Sequence, residues 1–329
     1  MAKFVYFSCN QGSAGYLKEE IKRKHPYLNV AFSRQDFLTF KRTDNKDCSL
    51  DFESQCIFAR SFGISLGKAK KEEISRVLQS ELKHLKNEKF ILHDWDLLNT
   101  PSQDQRTELL HHFSFHEGTL PKIGDYIIEI IKMNENDFFL GLRRYSKWQT
   151  PFVGGIPDFS LPDEAPSRAW LKTEEAIRLT QAEFKPNEII LEFGSAPGGS
   201  VYNLLERGLK VYGVDTGAMA AVCLKHPNYT HFQATMQNFE KEKIKGKVKW
   251  ITLDINQKPS YTLRELRKII PLFEKDLKGL FLTFKLTDPN SIKRLDANLN
   301  ELKTYKLEVM ATQLYHNRNE IFIYAVSSA

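Results

Sequence analysis

The chain of 329 residues is expected to fold as an α/β protein, with a doubly wound and mainly parallel sheet in its second half and an α+β region before it. Three observations carry this. Beyond about residue 167, apolar segments of strand length alternate with amphipathic segments of helix length, the pattern of parallel strands joined by helical crossovers. Before residue 150, strand-like runs follow one another between short helical stretches, so small α+β modules are expected there. Between the two, residues 147–166, "KWQTPFVGGIPDFSLPDEAP", hold four prolines and two adjacent glycines, a composition that ends regular structure. The expected division is therefore 1–150, a linker over 151–166, and 167–329.

In the first region "KFVYFSC" has strand character. "SAGYLKEEIKRKHP" opens on Ser13 as a possible N-cap and stops at Pro26. "NVAFSRQDFLTFKR" and "CIFARSFGISLGKA" are rich in aromatic and branched residues, as strands are, and "KEEISRVLQSELKHLKN" is helical. After "KFILHDWDLL" comes a polar helix candidate, "SQDQRTELLHHFSFH", and then two strands, "DYIIEIIKM" and "DFFLGLRRY", joined by the turn-like "NEND". In the second region the strands are "EIILEFG", "KVYGVD", "VKWITLD", "GLFLTFKL" and a final "EIFIYAV". Helices are expected over "SVYNLLERG", "YTLRELRKIIPLFEKDL" and "SIKRLDANLNELKTY".

Composition bounds the function. With 41% hydrophobic and 27% charged residues, the sequence is that of an ordinary globular protein. Its apolar runs are far shorter than the roughly 20 residues a membrane helix needs. The N-terminus "MAKFVYFSCNQG" is expected to be a first strand and not a signal peptide. Cys9, Cys48, Cys56 and Cys223 form no CxxC pair, which argues against a zinc knuckle or a disulfide framework, and a reducing cytoplasm is the expected compartment. The formal net charge of +6 is a mild basic excess, compatible with RNA binding and equally with a solvated surface.

The stretch "LEFGSAPGGSVYNLLERGLKVYGVD" holds the first candidate site. Its glycines, Gly194, Gly198 and Gly199, do not form GxGxxG, and no GK[ST] follows, so neither a dinucleotide site nor a phosphate loop is expected. What remains is a strand ending in Glu192, a turn of small residues, a helix stopped at Gly208, and a second strand ending in Asp215. Small residues admit a ligand close to the backbone, and an acid at the second strand tip can accept from ribose hydroxyls. The arrangement suits a nucleoside without phosphates, for which S-adenosylmethionine is the candidate. A tight strand-to-helix turn without a ligand is the alternative.

Four polar residues converge on the same edge. Asp254 ends one parallel strand, and Lys285 lies near the end of the next. Glu320 begins the last strand; if that strand is antiparallel, its start lies at the same edge. Lys172 falls within the apolar stripe of Ala169, Ala176 and Leu179 on a helix and so needs a partner. Singly, each has a plain explanation: Lys172 snorkelling to water, Asp254 capping a helix, Lys285 on a solvated edge, Glu320 paired with Arg318. Together, around a methyl donor, they suit transfer to a ribose 2′-hydroxyl, a poor nucleophile whose proton a lysine of lowered pKa would take, with the carboxylates orienting that lysine and the second lysine depressing its pKa.

"LEFGSAPGGSVYNLLERGLKVYGVDTGAMA", "KWITLDINQKP", "FKL", "QLYHNRNEIFIY" and "LPDEAPSRAWLKTEEA" are similar to the ordered motifs of the bacterial RlmM family, 2′-O-ribose methyltransferases of large-subunit ribosomal RNA in the FtsJ-like group. The resemblance covers about residue 140 to the C-terminus. It implies a Rossmann-like class I methyltransferase domain with an antiparallel last strand, preceded by a ferredoxin-like module and a THUMP RNA-binding domain. It implies that Lys172, Asp254, Lys285 and Glu320 form a catalytic tetrad, with Lys285 as proton acceptor. It also implies that Ala196, Pro197, Gly198, Gly199, Asp215 and Asp254 contact S-adenosylmethionine, beside Glu192 and Gly194 of the same turn. Where the family has an acid after its third strand, this chain has Thr235, a weaker partner for the donor's nucleoside. A family serine is Ala169 here. The implied partner is 23S ribosomal RNA, protein-free or in an early assembly intermediate, methylated at a cytidine; a monomer is favoured, though the sequence does not fix the oligomeric state.

Arg143, Arg144, Lys147 and Trp148 offer cations and a stacking ring to that RNA. A base methyltransferase is disfavoured because no NPPY-type tetrapeptide follows Asp254 and no cysteine stands where a 5-methylcytosine enzyme needs its nucleophile. A dehydrogenase is disfavoured by the glycine spacing. The remaining alternative is a non-catalytic RNA-binding or ribosome-assembly protein with a degenerate methyltransferase domain, a reading in which Thr235 is the favourable feature.

Overall fold

The alternation of Tyr126–Lys132 and Asp137–Arg144 makes a hairpin, because the Asn134 side chain between them accepts from the backbone N–H groups of Asn136 and Asp137 and so closes the turn. In the computed structural model, which describes residues 3–97, 112–116, 120–286 and 292–327, these are strands β7 and β8 of the first of two units, Met1–Asp158 and Phe159–Ala329. The other elements of that unit are β1 (Phe4–Ser8), α1 (Ala14–Lys24), β2 (Leu28–Arg34), β3 (Phe37–Arg42), β4 (Ser61–Lys70), α2 (Ile74–Glu81), β5 (Lys89–Asp96) and β6 (Ser114–Phe115). They form one sheet in the order β2-β3-β1-β4-β8-β7-β5-β6. Only the pairings of β5 are parallel.

The strands join in one continuous sheet, because β4 pairs with β1 on one side and β8 on the other. Tyr6 lies at that junction. A Cβ at Gly63 or Gly141 would come within 2.9 or 2.7 Å of its ring, so two glycines make the space it fills. "NVAFSRQDFLTFKR" is two strands, since Gln35 takes a left-handed conformation (φ 40°) between them. The helix expected over "SQDQRTELLHHFSFH" lies largely outside the described residues; its tail is strand β6, so helix does not continue through Ser114.

The second unit contains α3 (Ala169–Thr180), β9 (Ile189–Phe193), α4 (Gly199–Leu205), β10 (Lys210–Asp215), α5 (Ala221–Leu224), β11 (Tyr229–Gln233), β12 (Val248–Leu253), α6 (Pro259–Phe273), β13 (Gly279–Lys285), α7 (Leu295–Lys303), β14 (Leu307–Thr312) and β15 (Glu320–Ser327). Its sheet runs β11-β10-β9-β12-β13-β15-β14, with β9 to β13 parallel and β15 antiparallel to both neighbours. This is the Rossmann-like architecture with an inverted last strand that the family resemblance implies. The chain leaves β9 toward β10 and returns to its other side as β12. The ends of β9 and β12 therefore flank the topological switch point, where open α/β sheets hold their ligands.

Candidate active site

Side chains two residues apart share a face of a strand. Thr252 and Asp254 therefore point the same way as Phe281, Thr283 and Lys285 on β13, and as Phe322 and Glu320 on β15. Lys285 and Glu320 are direct cross-strand partners, which the inversion of β15 makes possible. Helix α3 covers this face and lowers Lys172 between the two acids.

The result is a ring of alternating charge. Lys285 Nζ donates to Asp254 Oδ1 at 2.6 Å and to Glu320 Oε2 at 2.5 Å. Lys172 Nζ donates to Asp254 Oδ2 at 3.2 Å and to Glu320 Oε1. Asn317 Nδ2 adds a bond to Glu320 Oε1 at 3.1 Å. Two ammonium and two carboxylate groups balance, which is how half-buried charges persist. The four residues singled out by sequence thus meet in one cluster, and Glu320 is paired with the lysines, not with Arg318. Asn317 escaped the sequence reading; its position three residues before Glu320, in the turn entering β15, was the available signal.

The protonation states differ from expectation. Burial alone would lower the Lys285 pKa, but Asp254 and Glu320 outweigh it, and the ammonium is held above its ordinary value. The expected lowering does not occur because two carboxylates touch Lys285, against which repulsion from one neighbouring lysine is the smaller effect. Burial would likewise raise the Glu320 carboxyl, but the hydrogen bonds from Lys172 and Lys285 hold it below its usual range.

Beside the ring opens a cavity of about 400 Å³, lined among others by Gly194, Ala196, Asp215, Thr235 and Asp254. Its volume suits a nucleoside-sized ligand. At one end Asp215 accepts from the backbone N–H groups of Ala196 (3.0 Å) and Gly217 (2.7 Å), which fixes the carboxylate at the strand tip. At the other end is Asp254, shared with the ring. A Cβ at Gly194 would overlap the Asp254 carbonyl, so only glycine lets the ends of β9 and β12 close this wall. Thr235 lines the cavity while its hydroxyl accepts from Asn238 N–H, capping a short turn. These residues fit a neutral-to-cationic nucleoside held by two acids.

Pro197, Gly198 and Gly199 are not among the residues lining that cavity. They make the turn into α4, and a Cβ on Gly199 would overlap Ser167, so this glycine lets α4 approach the start of α3. Glu192 requires a correction. It precedes Phe193, which lines the open cavity, and by alternation its own side chain faces the other way, into a smaller cavity of about 50 Å³ that Lys172, Ser200 and Thr252 also line. Fully buried there, and near Asp254 and Asp215, the Glu192 carboxyl is pushed up to about 8 against the opposing hydrogen bond of Ser200.

In the N-terminal unit, Arg143 also departs from its expected role. It is 1% exposed. Its guanidinium donates to Glu129 (2.7 Å), to Gln149 (2.8 Å) and to the Thr150 carbonyl, and meets His93. A phosphate cannot reach it. Its place in the interior follows from the pairing of β8 with β7, which sets Arg143 opposite Ile127 and diagonally across from Glu129, with His93 of β5 opposite Glu129. Arg144 is exposed and pairs with Asp51 at 2.9 Å, and Lys147 lies over the Trp148 ring at 5.8 Å.

Comparison with known proteins bears on the second unit first. Residues 165–289 match the FtsJ-like methyltransferase family. Proteins named ribosomal RNA large subunit methyltransferase M are similar over longer stretches. That of Psychromonas ingrahamii is 26% identical over 68% of this chain and 58% of its own length. That of Halorhodospira halophila is 30% identical over 57% and 53%. That of Pseudoalteromonas translucida is 24% identical over 98% and 92%. The chain spans a little over half the length of the first two.

Proposed function

We propose, from the FtsJ-like methyltransferase domain that residues 165–289 carry, that the protein is an S-adenosylmethionine-dependent 2′-O-ribose methyltransferase acting on large-subunit ribosomal RNA. The observation that carries the reading is the Lys172–Asp254–Lys285–Glu320 ring opening beside a nucleoside-sized cavity with which it shares Asp254. The likeness to the large subunit methyltransferases M supports the RNA and its subunit.

When bound, S-adenosylmethionine supplies an electrophilic methyl group on a sulfonium. Gly194, Ala196, Asp215 and Thr235 would hold it, with Asp215 on the ribose hydroxyls and Pro197, Gly198 and Gly199 shaping the turn beside it. Lys285 is assigned the proton of the ribose 2′-hydroxyl. Two of its three N–H bonds are directed at Asp254 and Glu320, which leaves the third position of the nitrogen for the substrate oxygen. Because this nitrogen rests as an ammonium, it accepts a proton only after losing one, and the rate should follow the amine fraction. Lys172 and Asn317 hold the carboxylates, and a substrate oxygen aligned on Lys285 needs little further ordering.

We further assign the N-terminal unit, a ferredoxin-like and THUMP region in the division 1–150, 151–166 and 167–329, to RNA binding, with Arg144, Lys147 and Trp148 as contacts. The substrate is read as a cytidine of 23S ribosomal RNA, protein-free or in an early assembly particle, modified by a cytoplasmic monomer. The test is methyl transfer to protein-free 23S ribosomal RNA. Lys285→Ala should lower the rate by about 10²- to 10⁴-fold, the usual share of a general base, while calorimetry finds donor binding retained. Full activity in that variant would sink the mechanism.

A further inference from the structure

The turn between β14 and β15, residues 313–319 ("QLYHNRN"), lies at the same sheet edge as the charge ring and ends on Glu320. It is unusually well anchored. The Glu175 carboxylate, fully buried on α3, accepts from Tyr315 N–H at 2.8 Å and from His316 N–H at 3.3 Å, and meets His316 Nδ1 at 3.1 Å. Asn317 Oδ1 accepts from Leu314 N–H, Gln313 Nε2 donates to the Arg318 carbonyl, and Leu286 N–H donates to the Asn319 carbonyl. The His316 ring packs against Phe159, 6.2 Å between centroids.

On this fixed backbone Tyr315, Arg318 and Asn319 are the exposed residues, and the first two carry a ring and a cation. Tyr315 is 43% exposed, its ring edge-on to His316. Arg318 is exposed, and among the described residues its guanidinium makes no ion pair or hydrogen bond. A single exposed tyrosine is ordinary. A tyrosine whose backbone N–H is held by a buried carboxylate, three residues from an unpaired arginine and within one turn of Asn317, which itself bonds Glu320, is a different matter. A flat ring and an unengaged planar cation on a rigid support are the two elements with which proteins hold an unpaired nucleotide: one stacks on the base and the other meets phosphate. A ring carried on a backbone anchored in advance needs less ordering when a base settles on it.

We propose that residues 313–319 form the seat of the RNA strand at the reaction centre, with Tyr315 stacking on an unpaired base at or next to the target nucleotide and Arg318 engaging a flanking phosphate. This deepens the reading of the ring as a ribose methylation site and rests on it. The seat aims the 2′-hydroxyl at Lys285 through the fixed relation of the loop to Glu320. Tyr315 and Arg318 are positioning residues; neither touches the transferred methyl.

The test compares Tyr315→Ala, Tyr315→Phe and Arg318→Ala with the unaltered protein. Readouts are methyl transfer to protein-free 23S ribosomal RNA, donor affinity by calorimetry, and binding of an oligocytidine strand carrying one 2-aminopurine, whose fluorescence falls on stacking. Tyr315→Ala should raise the RNA KM and weaken oligonucleotide binding about ten- to a hundredfold, the share of one lost stack, and should abolish the quench. Tyr315→Phe should restore both. Arg318→Ala should reduce the slope of log affinity against log salt by about one. Donor affinity should be unchanged in all three. An unchanged RNA KM and quench in Tyr315→Ala overturns the proposal, as does an equal loss in Tyr315→Phe or an unaltered salt slope in Arg318→Ala. Failure of the underlying methylation reading would look different: the unaltered protein would bind the oligonucleotide with the expected quench and transfer no methyl group.

Discussion

The proton inventory of the charge ring sets the rate at neutral pH if Lys285 is the acceptor. The ordinary lysine value is 10.5, and the carboxylates hold Lys285 above it. At neutral pH the nitrogen is then held as the ammonium, and the amine is the minor form. The single-turnover rate should rise about tenfold per pH unit from neutral into the alkaline range, with no plateau near neutrality. Glu320→Gln removes one of the two carboxylates and leaves the ring with a net positive charge. Lys285 should lose its proton more readily, so the rising limb moves to lower pH, while the plateau falls because the lysine is less well aligned. Rapid-quench methyl transfer at a series of pH values, with donor and RNA saturating, measures both quantities. A flat profile in the unaltered protein would refute the assignment of Lys285, and a limb moved to higher pH in Glu320→Gln would refute the electrostatic argument.

Two further outcomes test the framework. Gly199→Ala would drive a Cβ into the Ser167 hydroxyl and carbonyl and to 3.0 Å from Trp170 N. Backbone atoms yield little, so a loss of about 1–3 kcal/mol is expected, visible as a melting point lower by about 2–4 °C per kcal/mol. In the N-terminal unit, Glu129→Ala would strand the buried Arg143 and take the acceptor from Trp95 Nε1. Denaturant titration should show a loss of about 3–5 kcal/mol, partly recovered by adding Arg143→Met.

How much of this was legible in the sequence depends on the range of the interaction. The parallel strands and the glycine turn follow from local periodicity, and Asp254 and Lys285 could be set at one edge because strand ends are readable from pattern; the inverted last strand, which brings Glu320 to that edge, was implied by the family resemblance and not by periodicity. Lys172 could be found as a cation in an apolar stripe. The orientation of Glu192 was equally open to the alternation rule, since Phe193 and Glu192 cannot face the same cavity. Arg143 was misread because a basic pair at a strand end looks like a surface. Only the register with β7 and the neighbouring β5 reveals Glu129 and His93 beside it. The raised pKa of Lys285 was out of reach for the same reason: its sign depends on which of three charged neighbours come closest, a matter of tenths of an ångström in the folded chain.

Helix α3 carries Lys172 and, one turn further on, Glu175. The first closes the charge ring, and the second ties down the turn before β15. Grafting experiments therefore meet a constraint that no single-site variant shows. A donor helix shifted by one residue along its axis would misplace both contacts at once, whereas one that keeps the Lys-x-x-Glu spacing brings them in register together. Chimaeras between relatives should tolerate exchange of α3 as a block with residues 313–320 and resist exchange of either alone.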